Sequence, residues 1–94
     1  MITDFEELCV ICNKPAVDTH HCINGTANRR IADKADLTIP LCRQCHDDIH
    51  RNNKMLVMTK IIGQLAYEKQ KVYEGMLPAE ARIDFTELFG RSWL

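Results

Sequence analysis

Apolar and polar positions along the chain change rhythm several times, and each rhythm predicts an element. Phe5 to Val10 leads into a short hairpin. Ala16 to Ile23, with β-branched Val17, Thr19 and Ile23, is strand-like, and Leu37-Thr38-Ile39-Pro40-Leu41 reads as a second short strand. Pro40 has no N–H to donate, so it marks a sheet edge or the end of that strand. A helix from about Cys42 to Asn52 follows, with Ile49 near its buried side and Asp47, Asp48 and Arg51 free to be solvated. From Met55 the residues Met58, Ile61, Ile62, Leu65, Val72, Tyr73 and Met76 recur at helical spacing, which predicts a longer helix whose apolar stripe is core. Gly63 weakens that helix by ~1 kcal/mol relative to alanine, and Gly75 and Pro78 end it. A last helix from about Ala79 to Phe89 has Pro78 near its first position, Ala81, Phe85, Leu88 and Phe89 on one face, and Gly90 as its stop. Trp93 and Leu94 are expected to fold back onto this pair. Asn24 to Ala35 shows turn chemistry at its start and no clear period, so it reads as a loop with room for one helical turn.

Together these elements predict an α+β chain. Residues 1–54 hold the strands and the short helix, and residues 55–94 form a helical extension packed on them within one domain. At 94 residues the chain is near the size at which a hydrophobic core alone gives modest stability, so a structural metal would matter. A formal net charge of -1 excludes general attraction to polyanions, and any such site must be local. Four of the five cysteines form two Cys-x-x-Cys pairs, which reads as metal binding in a reducing compartment rather than as a disulfide framework. The fifth, Cys22, reads as a small core residue. Met1 to Leu8 carries Asp4, Glu6 and Glu7 with no apolar run, so no signal peptide is expected, and no window has the ~18 apolar residues of a membrane span. The expectation is a soluble, cytoplasmic chain with no membrane partner.

The candidate chemistry lies in two ligand sets. Cys9, Cys12, Cys42 and Cys45 make a four-thiolate set of the kind that holds structural zinc, and Cys9 to Pro15 resembles a zinc knuckle in which Asn13 or Lys14 turns the chain. His46 and His50 stand four apart on the predicted helix, so they differ by only ~40° in direction and face one side. A second metal is implied, and its remaining ligand should come from the adjacent pair His20 and His21. Strand alternation turns those two opposite ways. One can bind while its neighbour stays beside the ion without being consumed as a ligand.

Cys-x-x-Cys, then Thr-His-His, then a strand ending Ile-Pro-Leu-Cys-x-x-Cys-His-x-x-x-His resembles the HNH endonuclease family in the form that carries an added four-cysteine zinc site. The likeness covers Cys9 to His50, and the helical tail ending Phe-Gly-Arg-Ser-Trp-Leu is similar to small HNH-like proteins of phages and prophages. It implies a zinc-stabilised ββα-metal, treble-clef-like core with a C-terminal helical pair. It also implies His21 as general base, His20, His46 and His50 as ligands of a divalent catalytic ion (Mg²⁺, Mn²⁺, Ni²⁺ or Zn²⁺), and DNA, expected to be double-stranded, as substrate. Beside such a site Arg29, Arg30 and Lys34 would contact backbone phosphates, and Arg43, Arg51 and Lys54 could add to the same face. Asp36 stands where the family commonly has a bracing asparagine and joins His21 in the implied catalytic set. A carboxylate accepts a backbone N–H but cannot donate as an amide does, so Asn24 or Asn28 could supply the brace instead. The alternative function is a zinc-binding module that keeps the frame without turnover, binding DNA or serving as an adaptor or inhibitor of another protein. A homodimer or a protein partner could use the C-terminal helices.

Overall fold

In a computed structural model, which describes residues 1–23 and 29–94 (Arg29 by its backbone alone), the chain is α+β. The element order is β1 (Asp18–His21), α1 (Arg29–Lys34), β2 (Thr38–Leu41), α2 (Arg43–Arg51), α3 (Asn53–Tyr73) and α4 (Pro78–Phe89). Asn24, Asn28 and the side chain of Arg29 lie outside the described residues.

The strands pair antiparallel, with Asp18 opposite Leu41, Thr19 opposite Pro40, His20 opposite Ile39 and His21 opposite Thr38. A two-stranded sheet consists of edges, which is why Pro40 is tolerated within it. Its carbonyl accepts from the Val10 N–H at 3.0 Å, while the Ile2 N–H donates to the Thr38 carbonyl at 2.7 Å. All four residues of β2 are therefore buried.

Before β1 the Cys9–Pro15 segment closes as the knuckle the sequence predicts. The Cys9 N–H donates to the Lys14 carbonyl, the Asn13 N–H returns to the Cys9 carbonyl, and Asn13 takes φ 64°, a left-handed conformation that asparagine tolerates. Asp36, at φ 55°, makes the corresponding turn between α1 and β2.

β1, β2 and α2 form the ββα core, whose buried cluster is Cys9, Cys22, Ile39, Leu41, Cys42 and Ile49. A second cluster joins Ile23, Ala32 and Leu37 to Tyr67, Phe85 and Phe89 of the helical pair. The helical extension and the first half thus share this cluster. The junction is Asn52, which ends α2 and caps α3 by accepting from the Lys54 and Met55 N–H groups.

α4 buries Ala81, Phe85 and Phe89 as its pattern predicts, and Gly90 closes it at φ 84°. α3 does not follow its stripe. Met58, Ile62, Leu65, Val72 and Tyr73 are exposed, while Thr59, Gly63, Gln64 and Tyr67 are buried. The buried face was chosen by specific partners rather than by apolarity. Gln64 donates to Ser92 and Glu68 and accepts from the Trp93 N–H, and so folds the C-terminal tail back. Trp93 lies there beneath Lys60 and Arg91, whereas Leu94 is exposed. No described helix is long and apolar enough to cross a membrane.

Candidate metal centres

α2 carries parts of both ligand sets. Cys42 is its N-cap, and the thiol accepts from the Cys45 N–H at 3.4 Å. Across from it the knuckle presents Cys9 and Cys12, with Cys12 Sγ 3.6 Å from Cys42 Sγ, and all four sulfurs lie within 4.8 Å of one another. Burial tends to raise the Cys9 pKa, but hydrogen bonds from the backbone of Cys42, Cys12 and Ile11 outweigh it and bring the thiol down to about 6. Burial, then hydrogen bonds shared with Cys42, Cys12 and Cys9, push Cys45 upward. Crowded thiols resist ionising together unless a cation sits among them, and this donor set could hold a zinc ion. Cys22 belongs to no such group; burial alone raises its pKa to about 12, that of an inert core thiol.

One turn further along α2, His46 and His50 present their Nε2 atoms to each other at 3.1 Å. Two ligands ~2.0–2.1 Å from a common ion stand about 2.8–3.4 Å apart, from octahedral to tetrahedral angles, so this spacing fits a shared cation. His20, on the inward face of β1, completes the group. Its ring centroid is 5.4 Å from that of His46 and 5.6 Å from that of His50, and the three donor atoms lie within 4.8 Å of one another. Burial, followed by the neighbouring charges of His46, His50 and His21, lowers the His20 pKa to about 4. A ring that stays neutral at pH 7 is ready to bind a metal.

His21 faces the other way, as strand alternation requires. It is partly exposed, with Nδ1 3.5 Å from the Asp33 carboxylate on α1. It stays outside the three-histidine group. Asp36 is not part of the three-histidine group. It pairs with the Met1 amino group and accepts from the Thr38 hydroxyl at 3.3 Å, so it braces the residue opposite His21 in the sheet register. Arg30 and Lys34 line a hollow shared with Ile62 and Leu65, to which no histidine contributes.

Three further residues belong to the site. Asp18 accepts from His46 Nδ1 at 3.0 Å and pairs with Arg43 at 3.2 Å. Thr59 of α3 meets His20 Nε2 at 3.0 Å, and Asp33 stands by His21. Asp18 had a signal in the sequence, since it lies two residues before His20 on the same strand face. Thr59 had none, being one polar residue in a helix patterned by its apolar stripe.

Residues 5–71 match the model of the family described as "Protein of unknown function (DUF968)". The chain belongs to this family. The DUF968 match takes in every residue of both ligand sets, with β1, β2, α1 and α2, and it stops within α3 before Tyr73. No curated protein and no solved structure matches the chain.

Proposed function

We propose that this chain is a metal-dependent, HNH-type endonuclease that hydrolyses phosphodiester bonds of double-stranded DNA. The observation that carries the reading is the convergence of His20, His46 and His50 from β1 and α2, with His21 turned to the other side of the strand. Zinc at the four cysteines would anchor the knuckle to the start of α2 and so fix the direction of His46 and His50. A divalent ion at the histidines would supply Lewis acidity at a phosphate oxygen and offset charge on the leaving 3′ oxygen. The chain's own groups do the rest. His21, accessible to solvent, takes the proton of the attacking water, and the Asp33 carboxylate beside Nδ1 leaves Nε2 for that proton and offsets the charge of the imidazolium. Arg43, an exposed side chain whose guanidinium pairs with Asp18 through Nη2, offers its remaining N–H groups to a phosphate near the histidines. The product is a cut strand with a 5′-phosphate.

The test is cleavage of supercoiled plasmid with Mg²⁺, Mn²⁺ or Ni²⁺ and its suppression by chelator. His21→Ala should lower the rate by about 10²–10⁴-fold while Co²⁺ still binds the other three histidines. Plasmid left intact by the metal-loaded protein with each of these ions would remove the enzyme reading. One observation favours the second reading, a zinc-binding module without turnover: Arg30 and Lys34 line a hollow apart from the histidines. A single zinc per chain, bound by cysteines alone, would support that module.

A further inference from the structure

Two hydrogen bonds decide which ring nitrogens are left bare at the histidine cluster, and they decide differently for different rings. The Thr59 hydroxyl donates to the Leu56 carbonyl at 2.7 Å, one turn back along α3. Its hydrogen is thereby used, so the same oxygen, 3.0 Å from His20 Nε2, can only accept there. Nε2 of His20 must carry the proton, and Nδ1 is left with the free lone pair. At His46 the Asp18 carboxylate sits 3.0 Å from Nδ1, which therefore carries the proton and leaves Nε2 bare toward His50. Both Thr59 and His20 are buried, so no water competes for either partner.

We propose that Thr59 is a positioning residue that makes His20 bind its ion through Nδ1, whereas His46 and His50 bind through Nε2. This rests on the reading that the three histidines hold a metal. Its consequence is that α3, outside the ββα core, takes part in the metal site. The hydroxyl reaches across from the helical extension and selects the tautomer of a ligand 39 residues earlier. A neutral imidazole whose outer N–H is anchored also loses less rotational freedom when the metal arrives.

The proposal is tested on the full chain with zinc or cadmium at the cysteines. In ¹⁵N-labelled wild-type protein, long-range imidazole correlations should show His20 protonated on Nε2, and ¹¹³Cd²⁺ added to the second site should couple to its Nδ1. A proton on Nδ1, or coupling through Nε2, overturns the proposal while leaving the metal centre standing. Failure of wild-type protein to take up Cd²⁺ or Co²⁺ at the histidines overturns both. The variants Thr59→Val and Thr59→Ser give an independent arm, read by the visible bands of histidine-bound Co²⁺. Valine keeps the shape and loses the acceptor, so Co²⁺ affinity should fall by about 10–100-fold, and serine should restore it. Equal affinity in Thr59→Val and wild type overturns the role given to Thr59. Should Thr59→Val fail to fold, the wild-type coupling pattern decides alone.

Discussion

Gly63 stands in the middle of a helix, where glycine is ordinarily a defect, because nothing larger fits. A Cβ built there would meet Cys22 Cβ at 2.9 Å and two Ile23 carbons at 3.1 and 3.2 Å. Cys22 cannot easily retreat, since its N–H is bound to the Leu37 carbonyl at 3.0 Å. Alanine would gain up to ~1 kcal/mol of helix propensity and lose more by forcing α3 away from the end of β1. Gly63→Ala should therefore destabilise the fold by about 1–3 kcal/mol, measured as a lower urea midpoint at unchanged m-value. A raised midpoint would mean that α3 can slide, and the close approach would lose its structural significance. Thr59 lies one turn before Gly63 on the same buried face. The helix has to come this near β1 for its hydroxyl to meet His20.

At the scale of elements, the period-2 and period-3.6 patterns made β1, β2, α2 and α4 legible in the chain, together with their caps at Pro78 and Gly90. Both ligand sets were legible too, because Cys-x-x-Cys and an i, i+4 histidine pair are local spacings. The inward face of α3 was not. Hydrophobic periodicity assumes that the core rewards apolar area, whereas this helix turns inward a threonine that holds His20 and a glutamine that holds the tail. Such partners are 28 to 39 residues distant in sequence and leave no periodic trace. The two faces should answer differently to substitution. Gln64→Ala removes the acceptor of the Trp93 N–H and the anchor of Ser92, so it should cost about 1–3 kcal/mol and shift the fluorescence of the single tryptophan to the red. Leu65→Gln, one residue on but half exposed, should change stability by no more than about 0.5 kcal/mol. A large loss at Leu65 with none at Gln64 would restore the apolar stripe as the packing face.

For the whole molecule, the two clusters are unequal in what they hold together. The cysteines join the N-terminal knuckle to the first turn of α2, and the sheet between them has only two strands of four residues, too little to stand without support. Structural zinc in comparable peptides contributes roughly 10–16 kcal/mol, as much as the entire stability of a typical domain. The histidines are placed differently. His20 meets Thr59 and His46 meets Asp18, so groups of the protein itself help to hold these rings, and an ion there would add binding to that frame. Stepwise chelation should separate the two. Under the proposed function, a mild chelator that takes an ion from the histidines should abolish cleavage and leave the far-UV circular dichroism unchanged. A strong chelator that strips the cysteines should abolish the cooperative melt, and with it the histidine site, because Cys42 and Cys45 set the start of the helix that carries His46 and His50. An unchanged melt after complete loss of cysteine-bound metal would show that the helical pair, with Tyr67, Phe85 and Phe89 packed on Ile23 and Leu37, sustains the core by itself.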